Sequence, residues 1–103
     1  MLKHVVMWKL KEEAEGKTKA ENALWMKEHL EALRGVISEI QSLEVGINCK
    51  AGEMAYDAVL ISTFRDEAAL AAYKTDPRHQ AVSQYCKKIR ESRVAVDFWE
   101  DEN

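Results

Sequence analysis

Few side chains in this sequence of 103 residues can move a proton at neutral pH, and the histidines His4, His29 and His79 are first among them. An imidazole titrates near neutrality, and a carboxylate beside it fixes its tautomer and orientation, so a His/Asp pair is a proton-transfer device. Asp97 supplies a carboxylate near the end of the chain, and Tyr73 a hydroxyl able to donate to an oxyanion as an enolate develops. His79 follows the pair Asp76-Pro77, a helix break at which a side chain can be re-aimed toward a pocket. His4 alternates with Val6 and Trp8, which puts the three on one face of a strand as candidate ligand-binding residues. His29 stands one helical turn after Trp25 and is expected at a helix surface. Trp25, Trp99 and Phe98 are expected in the core or at an interface, as aromatics usually are.

Other chemistries find little support. Two histidines and a carboxylate can hold iron, but no HxH or HxxxH spacing joins His4, His79 and Asp97, so no metal is expected. Cys49 and Cys86 stand alone without a CxxC pair and are expected to be free thiols that behave as small, semi-buried hydrophobes. Neither a glycine-rich phosphate loop nor a nucleophile elbow nor a paired-carboxylate motif is present, which argues against covalent catalysis and against a cofactor.

Fifteen basic and eighteen acidic residues give a net charge of −3. The Lys and Arg are scattered among Glu, whereas nucleic-acid binding needs a concentrated basic surface. The opening MLKHVVMWKLKEE is broken by Lys3 and Lys9 and lacks a cleavage site, and nothing approaches the roughly 18 apolar residues of a membrane span. A cytoplasmic location, with neither nucleic acid nor membrane as partner, is the expectation.

The elements that must position these residues follow from periodicity. Leu2 to Leu10 alternates as a strand whose middle is apolar on both faces, and the polar Lys11–Lys19 reads as a loop. Ala20, Ala23, Leu24, Met26, Leu30 and Leu33 recur at helical steps between about Thr18 and Arg34, with Gly35 placed for a left-handed cap. Ser42–Asn48 alternates as an edge strand, and a turn around Lys50–Glu53 joins it in a hairpin to an apolar segment from Tyr56 to Phe64. Asp66 can cap a second helix, which Asp76-Pro77 breaks and restarts. Val94 to Trp99 closes the chain as a fourth strand, with Asp101–Asn103 a frayed polar end.

One domain of class α+β results, spanning 1–103 without repeats or linkers: a βαββαβ unit with a four-stranded antiparallel sheet and helices on one face. First and fourth strands then lie side by side and antiparallel, so His4 and Asp97 should be neighbours. Three strands are apolar on both sides, and the chain has no spare element to cover the second face. A second copy, sheet against sheet, is the simplest cover, and a homodimer is expected.

Leu2-Lys3-His4-Val5-Val6 with Trp8-Lys9, Val45-Gly46, Tyr56-Asp57, Tyr73 followed by Asp76-Pro77-Arg78-His79, and Val96-Asp97-Phe98 occur in an order and spacing that span almost the whole chain. In these features the sequence resembles the stress-responsive dimeric α/β-barrel (Dabb) family, and within it the olivetolic acid cyclase-type polyketide cyclases. The resemblance implies a ferredoxin-like protomer and a homodimer whose two sheets form a barrel. It implies a cofactor-free aldol-type site in which His79 is the base, Asp97 holds it and Tyr73 assists, with His4 at the first-strand histidine. A further histidine of those cyclases falls at Ala58 here.

Three readings follow. The protein is a homodimeric pocket protein of unassigned activity that binds a small apolar carbonyl compound. Alternatively, it is a cofactor-free lyase or isomerase with His79 as general base. In the third, Asp97 and His79 satisfy each other inside the fold, and the protein has a structural role in stress protection.

Overall fold

Leu2, His4, Val6, Trp8 and Leu10 are buried while Lys3, Val5, Met7 and Lys9 are partly or fully exposed, as a strand with one face inside requires. In the computed structural model, which describes residues 1–101, that strand is central; Glu102 and Asn103 of the expected polar end lie outside the described residues. The chain runs β1 (Leu2–Leu10), β2 (Glu13–Ala14), β3 (Lys17–Thr18), α1 (Lys19–Glu31), β4 (Ser42–Ile47), β5 (Ala58–Phe64), α2 (Glu67–Thr75), α3 (Pro77–Ile89) and β6 (Arg90–Trp99). Four strands pair antiparallel in the order β4-β5-β1-β6, the ferredoxin-like arrangement, and the helices lie on one face.

Local chemistry sets most boundaries. Thr18 and Glu21 cap α1 reciprocally: the Glu21 N–H donates to Thr18 Oγ1 at 3.2 Å and the Thr18 N–H to Glu21 Oε1 at 2.9 Å. Ahead of the helix, the segment expected to be a loop folds into the short β2–β3 hairpin instead. Glu15 and Gly16 both take left-handed φ, 53° and 74°, which a two-residue hairpin turn needs. Asn22 fastens this hairpin to the body, its buried Nδ2 donating to the Ala14 carbonyl at 3.1 Å and its Oδ1 accepting the Tyr85 hydroxyl at 2.8 Å. Leu24, expected on the buried stripe, is 49% exposed, and Ala20 is exposed too. The inward face of α1 is Asn22, Ala23, Met26 and Leu30, because the amide of Asn22 has partners inside. Asp76 ends α2 and caps α3, its carboxylate accepting the Arg78 N–H at 2.8 Å, with Pro77 in the first turn where its missing N–H costs nothing.

Coverage of the sheet is uneven. β4, β5 and β1 bury their helix-side residues, but β6 is at the edge and stays exposed along most of both faces. On the face away from the helices, register stacks Val5 between Ile61 and Val96, and Met7 between Val59 and Val94. With Phe98 they form an apolar sheet face over which, among the described residues, no element lies.

Removing the Asn22 side chain should strand the Ala14 carbonyl and the Tyr85 hydroxyl. Asn22→Ala is expected to lower the unfolding free energy by about 1–3 kcal/mol, read from urea denaturation; an unchanged midpoint and slope would show that the hairpin is not held through this amide.

Candidate functional site

The antiparallel register sets His4 directly opposite Asp97, so both side chains leave the sheet on its helix side. His4 Nδ1 lies 2.5 Å from Asp97 Oδ1. A carboxylate only accepts, so Nδ1 carries the proton, and in the neutral ring Nε2 is left as the base. The imidazole is 3% exposed, whereas the Asp97 side chain is 38% exposed at the sheet edge. Burial pushes the His4 pKa below its ordinary value, and outweighs the hydrogen bond and charge of Asp97, which raise it.

Below α3 and beside β1 lies a cavity of about 200 Å³. His4, Val6 and Trp8 reach it from β1, Tyr73 from the last turns of α2, and His79 from the first turn of α3. Five of the six residues singled out from the sequence thus meet around one space. Asp97 stands outside it, in a neighbouring groove with Leu2, Leu70, Lys74 and Trp99, and reaches the cavity only through His4. The expected pairing of Asp97 with His79 is therefore corrected. His79 Nδ1 faces the Lys74 carbonyl at 3.2 Å and donates to it, while the Asp97 carboxylate is taken by His4. Its pKa too is lowered, chiefly by burial.

Tyr73 stands between the two histidines, its ring centroid 4.3 Å from that of His79 and 6.5 Å from that of His4. Fully buried, its hydroxyl has no hydrogen-bond partner among the described residues. Burial drives its pKa well above the usual phenol range, so it stays protonated and can only gain by donating to something that enters.

Sequence reasoning missed the α3 face that completes the cavity. Ser83, Cys86, Lys87 and Arg90 follow His79 at helical steps, a spacing that would have found them, and Arg93 shares the alternation of Asp97 on β6. Cys86 is buried and its thiol is pushed up to about 11, which makes it a poor nucleophile; Cys49, expected to be semi-buried, is exposed. His29 stacks on Trp25 at 3.8 Å, which in turn stacks on Tyr85, well away from the cavity. Among the described residues no three His, Cys, Asp or Glu side chains converge as metal ligands. No helix there is long and apolar enough to cross a membrane.

Comparison with known proteins agrees with this architecture. A dimeric protein of unknown function with a ferredoxin-like fold from Bacteroides fragilis is 34% identical, with a TM-score of 0.84 over 94% of this chain and 93% of that one. A dimeric ferredoxin-like protein of unknown function from Thermobifida fusca is 21% identical, with a TM-score of 0.79 over 94% and 88% of the two chains. The hydroxynitrile lyase of Passiflora edulis shares the fold at 13% identity, with a TM-score of 0.80 over 99% and 94%. No curated protein matches the chain. Residues 2–100 match the family model of the stress responsive A/B barrel domain, and the chain belongs to that family.

Proposed function

We propose that this protein is a homodimer whose cavity carries out cofactor-free proton transfer on a small carbonyl compound, with the buried His4 as base and the edge carboxylate of Asp97 orienting it. The observation that carries this reading is a single alignment: a histidine of fixed tautomer and a tyrosine with an unsatisfied hydroxyl line the same small space, whose β1 and α1 side is apolar. A carbonyl oxygen accepting from Tyr73 sets its α-carbon toward His4 Nε2. The C–H bond breaks as the N–H bond forms, and the electron pair passes into an enolate that the Tyr73 hydroxyl stabilises. Return of the proton completes an isomerisation; attack of the enolate carbon on a second carbonyl completes an aldol closure, in which the new alkoxide takes the proton.

His79 was expected to be the base. Its imidazole is held in the same tautomer by a carbonyl, which stabilises an imidazolium less than a carboxylate does. We give it the second position, relaying protons at the outer side of Tyr73. A cytoplasmic location accords with two free thiols.

Assembly follows from the uncovered sheet face. An apolar surface of this extent on a protomer marks an interaction site, and a second copy carries the same apolar face with which to cover it. The dimeric state given for the Bacteroides relative supports the same reading. Val96→Asp, at a position 56% exposed in the protomer, is expected to convert dimer to monomer with the protomer fold retained. Sedimentation would read the change, and a wild type that is monomeric at micromolar concentration ends this part of the proposal.

Phenylacetone tests the chemistry, as loss of its benzylic protons into deuterated water followed by NMR. His4→Asn should slow the catalysed exchange by about 10²–10⁴-fold; His79→Asn should slow it less. Because burial lowers the His4 pKa, the neutral base predominates at pH 6.5, and exchange should decline only in more acid solution than an ordinary imidazole would need. Asp97→Asn removes two influences that raise this pKa, so the acid limb should move to lower pH while the plateau drops. Exchange at the uncatalysed rate in the wild type, or full activity in His4→Asn, would refute the assignment.

A further inference from the structure

Three cations gather on the cavity that no proton-transfer step uses. Lys87, Arg90 and Arg93 all line it, and no carboxylate does, in a chain whose net charge is −3. Some cations of the fold are tied down, among them Arg78 to Asp76 at 2.8 Å, Lys27 to Glu31 at 2.9 Å and Lys19 to Glu12 at 3.1 Å, while Lys3, Lys9, Lys11, Lys17, Lys50 and Lys74 lie outside the cavity without a carboxylate within 4.0 Å among the described residues. Among the described residues none of the three around the cavity has an ion-pair partner within 4.0 Å.

Arg93 is the best placed. It sits opposite Trp8 in the β1–β6 register, on the helix side of the sheet, four residues from Asp97. Its charge bears on His4, Tyr73, His79 and Cys86 alike, as a guanidinium turned toward the cavity would. Toward β1 and α1, by contrast, the lining is apolar, with Val6, Trp8, Leu30 and Leu60.

We infer that the cavity takes an oxo acid: a small molecule whose carboxylate is held by Arg93, with Arg90 and Lys87 beside it, while its apolar body lies against Val6, Trp8 and Leu60. This deepens the proton-transfer reading and rests on it only for the carbonyl end. A guanidinium matches a carboxylate in a bidentate, charge-assisted pair, and the partly desolvated setting strengthens the attraction. About 200 Å³ falls below the roughly 300–1,000 Å³ of drug-sized sites, which restricts the ligand to a few carbons beyond the acid or to one ring. A bound carboxylate would also offset the cations that now lower the histidine pKa values, so binding should be accompanied by proton uptake on the acid side of neutrality.

Phenylpyruvate and phenylacetone share one skeleton and differ by a carboxylate in place of a methyl group. Titrated into the full chain by NMR, phenylpyruvate is expected to bind at least about tenfold more tightly, as a charge-assisted pair would give. Arg93→Gln should remove most of that preference and leave phenylacetone binding as it was, which also reports that the variant is folded; Arg93→Lys should fall between. Equal affinities in the wild type, equal weakening of both probes by Arg93→Gln, or binding of neither would overturn the inference. If phenylacetone exchanges its protons but the acid is not preferred, this inference fails and the proton-transfer reading stands. An acid preference that depends on Arg93, with no exchange of either probe, gives the reverse.

Discussion

A histidine that is nearly inaccessible to water needs a partner, and the pairing of β1 with β6 is what supplies it. Leaving a buried imidazole N–H unpaired costs a large part of the stability margin of a small domain. The register that opposes Leu2 to Trp99 and Val6 to Ala95 brings the Asp97 carboxylate to His4 without any loop having to fold over. The β5 side makes a matching contribution, since the Ser62 hydroxyl donates to the His4 carbonyl at 3.1 Å inside the core. Strand pairing thus sets the orientation of the imidazole, and a site built on strands is held more rigidly than one built on loops.

The same edge position that exposes Asp97 also leaves room for a cavity. Three helices cover three strands well, and the fourth strand projects beyond them. Under α3 the gap has on its floor the helix side of β1 and β6, and on its roof the helical face that runs from His79 to Arg90. Tyr73 lines this gap with its hydroxyl lacking a partner among the described residues; a phenylalanine there would have filled the core at no cost in hydrogen bonds.

Most of the fold was legible in the sequence because it rests on local signals. The alternation of β1, the proline after Asp76 and the carboxylate of Asp66 each act within a few residues, and the strand order follows from the need to cover apolar faces. Where the signal was weak the outcome differed. The β2–β3 hairpin depends on two left-handed residues, one of them Glu15, and a glutamate gives no warning of that conformation. Asn22 is inside because of partners at Ala14 and Tyr85, which are distant in sequence from any apolar repeat. The neighbourhood of His4 and Asp97 could be read from topology alone. Whether Asp97 serves His4 or His79 could not, since it turns on how α3 packs over the sheet, through residues such as Val82, Cys86 and Ile89 that share one core with strand residues distant in sequence.

β6 brings the two halves of the molecule's behaviour onto one strand. Its residues alternate: Arg93, Ala95, Asp97 and Trp99 point to the helix side, whereas Val94, Val96 and Phe98 point to the open apolar face. In the first set Arg93 lines the cavity and Asp97 meets its histidine, and the other set is the surface on which a second copy would sit. A strand with one face free is mobile at an edge, and covering that face would restrain the backbone that carries Asp97 and Arg93. The proposed assembly and the proposed chemistry then share a single stretch of main chain. Substitutions at Val94, Val96 and Phe98 act on the site only by loosening it, and those at Arg93 and Asp97 act on it directly.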